Sequence, residues 1–148
     1  MTNAAETRLR AHGYRVTRAR QLVLNAITEL RHATPEQILT NVHAQAPSLN
    51  LSTVYRALDV LSAVGLVTHA HLGPGSPTYH VSDAPAHLHL KCDGCGWVGS
   101  LPAAVAAPFV HSLSEATGFR ADITHAAIHG RCHHCAAVPD RQEPHTHD

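Results

Sequence analysis

Apolar residues recur along the first sixty positions with a helical period, then switch to alternation. Over residues 18–30, RARQLVLNAITEL, the residues Leu22, Val23, Ala26, Ile27 and Leu30 fall on one face and predict an amphipathic helix. Residues 2–12 predict a shorter helix that stops at Gly13. Thr34-Pro35-Glu36-Gln37 opens another, with Thr34 as N-cap, Pro35 in the first turn and Gln37 completing a capping box. Its stripe is Ile38, Leu39 and Val42, and Ala46-Pro47 ends it. Ser52 is expected to cap a further helix, STVYRALDVLSAV, which closes at Gly65. Val54, Leu58, Leu61 and Val64 share its apolar side, Ser52, Arg56 and Asp59 the opposite one, and Thr53 and Tyr55 the flanks. The period then becomes two in LVTHAHL (66–72) and PTYHV (77–81), joined by the turn Gly73-Pro74-Gly75-Ser76.

Helices followed by a hairpin within about eighty residues is the order of a winged helix-turn-helix, whose last helix enters the major groove. Its polar face suits that task. Arg56 can take guanine, Tyr55 and Thr53 can meet a thymine methyl, and Ser52 can hold a phosphate. A small helical bundle with a polar exposed face fits the same pattern. Residues 83–86 (DAPA) are expected to form a hinge. Beyond it the chain predicts a strand (87–91), a C-x-x-C knuckle, a strand (97–101), a helix (102–117), a strand within ADITHAAIHG (121–130) and a second C-x-x-C. The expected fold class is α+β: a winged-helix domain over 1–82, a small α/β domain over 87–135, and a polar, disordered tail over 136–148.

Composition sharpens this picture at three points. No apolar run approaches the ~20 residues of a membrane span, and the N-terminus lacks the apolar core of a signal peptide, so a cytoplasmic location is expected. Cysteines in that compartment stay reduced, which favours metal ligation over disulfides. The formal net charge of zero hides an asymmetry. Residues 1–66 carry seven Arg against four acids, whereas residues 67–148 carry one Lys and three Arg against seven acids, so the basic half is the one expected to meet a polyanion. Fifteen histidines in 148 residues point to transition-metal chemistry, since imidazole is the commonest metal-binding side chain.

Cys92-x-x-Cys95 and Cys132-x-x-Cys135 together supply four thiolates, the set for a closed, structural zinc site. The alternatives are a thioredoxin-like redox pair or two separate thiol pairs. Neither knuckle is expected to open a helix after a strand, as a thioredoxin motif does. The H-x-E/P-C-x-x-C deaminase pattern, the H-E-x-x-H zincin pattern, G-x-S-x-G and a phosphate loop are all missing, so catalysis has no sequence support and no enzyme is expected. Among the histidines, His69 and His71 alternate on one predicted wing strand and His87 and His89 on another, so each pair projects from one face. His80 lies on the partner wing strand, His32 between two helices of the DNA-binding half and His125 on the last strand. A strand-borne pair is half a metal site, which ligands from another element must complete.

The run Gly13-Tyr14-Arg15-Val16-Thr17-x-x-Arg20, then Ser52-Thr53-Val54-Tyr55-Arg56, then His87-x-His89-x-x-Cys92-x-x-Cys95 and Cys132-x-x-Cys135, resembles the ferric uptake regulator (Fur) family over roughly residues 6–135. The resemblance implies a homodimeric, metal-loaded repressor on palindromic operators, with the second domain serving dimerisation. It implies structural zinc on Cys92, Cys95, Cys132 and Cys135, DNA contacts from Tyr55 and Arg56, and backbone contacts near Arg15 and Arg20. It also implies a hinge metal on His32, His80, His87 and His89. The family's further dimer-domain site is not expected, because Ala86 and Leu88 stand at two of its ligand positions. Within the family, HATPEQIL, LVTHAHLGPGSPTYH and HAAIHGRC are similar to the nickel uptake regulators of actinobacteria, although Pro85 stands where that branch carries a histidine. That likeness implies regulatory nickel on His69, His71 and His125. Regulatory zinc or iron, including iron-based peroxide sensing, and a metal storage or chaperone role are the alternatives.

Overall fold

The apolar stripes of the first half close on one another. In the computed structural model, which describes residues 3–82, 87–123 and 126–137, the chain divides into two units, Met1–Ala84 and Pro85–Asp148. The first unit holds helices α1 (Asn3–Ala11), α2 (Arg18–Leu30), α3 (Pro35–Val42) and α4 (Leu51–Ala63) and a hairpin of β1 (Val67–Ala70) and β2 (Thr78–Val81). Leu9, Val23, Ile27, Ile38, Val42, Val54, Leu58 and Leu61 are all but fully removed from water and form its core, with Val67 and Tyr79 entering from the hairpin. Each such side chain contributes ~1.5–3 kcal/mol of burial.

The caps account for the helix starts. Thr34 and Gln37 form the expected reciprocal capping box at α3. At α4 the cap is Asn50, not Ser52. The Asn50 Oδ1 accepts from the Thr53 amide at 2.9 Å and from the Thr53 hydroxyl at 3.0 Å, so the helix begins earlier and Ser52 lies within its first turn. Leu30 also departs from expectation, being 39% exposed. It is the last residue of α2, and the chain leaves the helix axis at Arg31, which holds a positive φ of 64°.

In the second unit, β3 (His87–Cys92) is central, antiparallel to β4 (Val98–Pro102) and parallel to β5 (Ala127–Gly130). The parallel pair needs a crossover, and α5 (Ala103–Thr117) supplies it. A short helix α6 (His133–Ala137) follows β5. Ala136 and Ala137, expected to begin the tail, belong to this helix, and the Ala136 amide donates to the Cys132 carbonyl at 2.9 Å. The expected hinge 83–86, His125 and residues 138–148 lie outside the described residues. Among the described residues, no helix is long and apolar enough to cross a membrane.

Candidate metal centres and nucleic-acid interface

The four cysteines converge because β3 and β5 run side by side. Cys92 ends β3 opposite Gly130, and the Asp93 amide donates to the Gly130 carbonyl at 2.8 Å. The chain reverses at Gly96, whose φ of 77° favours glycine, and its amide closes the knuckle on the Cys92 carbonyl at 2.9 Å. Cys132 and Cys135 then arrive from the end of β5 and from α6. All four Sγ atoms lie within 4.8 Å of one another, and Cys95 and Cys132 are 3.9 Å apart. Tetrahedral zinc with Zn–S bonds of ~2.3 Å sets its sulfurs ~3.8 Å apart, so the donor set fits a four-thiolate zinc. None of the four forms a disulfide.

Their acidities differ in direction. The Cys132 amide donates to Cys92 Sγ at 3.3 Å and, as the largest influence, holds that thiol below its ordinary value. Burial, reinforced by the three neighbouring thiols, pushes Cys135 up to about 12. Protons must therefore leave as metal enters. One sequence expectation is corrected here: Cys132-x-x-Cys135 does stand between a strand and a helix. The convergence of all four sulfurs, rather than that local context, distinguishes the arrangement from a redox pair.

The histidines are paired within each unit. In the first, two backbone hydrogen bonds join Ala33 to Tyr79, at 2.8 and 3.0 Å, and bring the segment after α2 against β2. His32 and the buried His80 consequently lie with ring centroids 5.4 Å apart. His69 and His71 are both exposed on the hairpin, with centroids 5.5 Å apart. In the second unit His87 and the buried His89 follow the two-residue repeat of β3, 4.8 Å apart. His125 is not among the described residues.

On α4 the exposed side chains Ser52 and Arg56 face outward and Tyr55 is half-buried, whereas the Thr53 hydroxyl is committed to the Asn50 cap. Arg15 is exposed. Arg20 holds the turn before α2: its guanidinium donates to the Arg15 carbonyl and lies 5.6 Å from the centre of the Tyr14 ring. Part of the basic balance of this half is structural in the same way. Arg8 donates to the Gly65 carbonyl at 2.9 Å and Arg18 to the Gln45 carbonyl at 3.1 Å. The sequence reading missed Asn50 and the ring of Tyr14. Asn50 was findable from the strong preference of asparagine for N-caps.

Residues 11–106 match the model of the ferric uptake regulator family. The transcriptional regulator FurA of Mycobacterium tuberculosis is 30% identical over 137 residues, 93% of this chain and 92% of its own. The crystal structure of the ferric uptake regulator of Vibrio cholerae superposes with a TM-score of 0.71 over 86% of this chain and 98% of its own, at 24% identity. A zinc uptake regulator complexed with zinc and DNA superposes with a TM-score of 0.56 at 25% identity, over 94% of this chain and 99% of its own. With its winged-helix unit, its four-cysteine cluster and this match over most of its length, the chain belongs to the ferric uptake regulator family of metal-responsive, DNA-binding transcriptional regulators.

Proposed function

We propose that this chain is a nickel-dependent repressor that binds palindromic operator DNA as a homodimer and controls genes of metal uptake or homeostasis. The observation that carries the nickel reading is the exposed pair His69 and His71, side by side on the wing. All four cysteines are gathered in the other cluster, so this pair is offered imidazole and water rather than thiolate. Nickel accepts such a set, whereas a zinc sensor more often recruits a thiolate. The likeness of HATPEQIL and LVTHAHLGPGSPTYH to the nickel-responsive branch supports the same choice.

In this reading Cys92, Cys95, Cys132 and Cys135 hold structural zinc, and His125 joins His69 and His71 on nickel. A second regulatory ion is shared by His32, His80, His87 and His89. Both ions tie residues of the two halves together and so set the spacing of two reading helices. The exposed Val105 and Phe109 of α5 and Ile128 of β5 give the second half an apolar surface suited to a second copy. Ser52, Tyr55 and Arg56 read the half-site, Thr53 holds the reading helix's first turn, and Arg15 and Arg20 serve the backbone-facing turn.

Likeness to a zinc uptake regulator bound to DNA favours zinc as the second reading. Selection of binding sites from random duplex DNA, run with chelator, buffered nickel and buffered zinc, separates the two. A palindrome enriched only with nickel is expected. Enrichment with zinc alone would keep the repressor and overturn nickel. No enrichment with either, or with anaerobic iron or manganese, would favour metal storage.

A further inference from the structure

Tyr79 stands where three features of the first unit meet. On the hairpin it is the cross-strand partner of His69, and the two rings lie 5.4 Å apart at 43°. Through its backbone it makes both hydrogen bonds to Ala33, the neighbour of His32, while His80 follows it directly in the chain. Its side chain is only 8% exposed and belongs to the core that carries α4. The same core holds Val54, Ala57, Leu58 and Leu61 of α4, the helix whose outer side carries the exposed Arg56.

We infer that Tyr79 is the positioning residue through which a metal held by His69 biases the DNA-reading side of α4. The inference rests on the proposal that His69 and His71 are regulatory ligands. A metal bond fixes the rotation of an imidazole about its own strand. The His69 ring lies beside the Tyr79 ring, tilted at 43° to it, so fixing one restricts the other. Two backbone hydrogen bonds to Ala33 anchor the backbone of Tyr79. Its ring instead enters the apolar core that Val54, Ala57, Leu58 and Leu61 of α4 share. Packed interiors move between discrete arrangements rather than deforming smoothly, so a ring at this junction can pass a small shift at the wing to the reading helix.

A coupling residue differs from a merely structural one in what its loss changes. The test measures, for the wild type, Tyr79→Phe and Tyr79→Leu, the affinity for nickel without DNA and the affinity for the selected operator with and without nickel. Thermal unfolding confirms that each variant is folded. The ratio of operator affinities with and without metal is the coupling, commonly ~5–150-fold. For Tyr79→Leu this ratio is expected to fall at least about fivefold, while nickel affinity without DNA and operator affinity without metal change less than about twofold. Tyr79→Phe keeps the ring and is expected to retain most of the coupling. If Tyr79→Leu does not fold, Tyr79→Trp takes its place: it enlarges the ring against His69 and is expected to lower the ratio likewise. A normal ratio in the folded ring-changing variant overturns the inference and leaves the repressor reading intact. A wild type whose operator affinity does not respond to nickel overturns both.

Discussion

Gly94 shows how a single missing side chain can build a metal centre. A Cβ placed there would sit 2.8 Å from Cys135 Sγ and 3.0 Å from its Cβ. The first is closer than side chains tolerate and the second is tight, and neither neighbour is the loose end of a long flexible group. Gly94→Ala is therefore expected to push Cys135 out of the sulfur cluster and lower zinc affinity about 10–100-fold, in line with losses at groups that support metal ligands. Competition with a chromophoric chelator measures it; unchanged affinity would show that the knuckle relaxes at no cost. Cys135 also sets a pH dependence. Without metal, its folded-state thiol is raised from an ordinary value near 9 to about 12. The folded form then holds that proton more tightly than the unfolded chain does. Its contribution to stability is full below pH 9 and lost as pH climbs toward 12. Zinc reverses the sign, because binding requires the thiolates, so zinc affinity should rise with pH over the range in which the metal-free domain weakens. Melting curves of chelated and zinc-loaded protein across that range should diverge.

In the proposed function helix α4 reads the DNA, and Asn50 holds its N-terminal end. Asn50→Ala removes the acceptor of the Thr53 amide and hydroxyl and is expected to cost ~1 kcal/mol of stability, seen as a lower melting temperature with metal content unchanged. Arg56→Ala leaves the helix intact and removes an exposed cation from its polar face. Operator affinity should fall by ~1–3 kcal/mol, about 5–150-fold, with stability and metal content preserved. Equal operator binding by this variant would place the reader elsewhere. The elements themselves were largely legible in the sequence. The 3.6-residue stripes gave α2 and α4, the Thr34 capping box gave the start of α3, and the change to alternation gave the wing. Cap competition was less legible, because Ser52 and Asn50 are both good caps and only the backbone decides which one accepts the N3 amide. The short helix around Cys135 was also hidden, since five residues are too few to show a period. The two C-x-x-C knuckles announced the sulfur cluster. The pairing of His32 with His80 was not readable from spacing, because it depends on the Ala33–Tyr79 bridge between segments about forty-six residues apart.

At the scale of the whole molecule the two units are stabilised by different means. The first has a continuous apolar core drawn from four helices and a hairpin. The second buries few apolar side chains among its described residues, chiefly Leu88 and Ala106, beside the metal-ligand candidates Cys92, Cys135 and His89. Val105, Phe109 and Ile128 remain exposed in the single chain. The proposed zinc and self-association would supply stability that so small a core does not, since structural zinc in small domains is worth ~10–16 kcal/mol of apparent binding energy that becomes folding energy. The same imbalance provides its own probe. Trp97 is the chain's single tryptophan and lies in the second unit, its indole over Gly99, whereas four of the six helices among the described residues lie in the first. Strong chelation, or Cys132→Ser, should therefore shift Trp97 emission toward that of an exposed indole and break up any dimer. Most of the far-ultraviolet helical signal should survive, with its own later thermal transition. Simultaneous loss of both signals would mean that the first unit cannot stand without the second. Persistence of the Trp97 signal would mean that the four thiols hold that unit together without metal. Nickel added to the Cys132→Ser variant should not restore the tryptophan signal, because the wing histidines offer nothing to replace the sulfur scaffold.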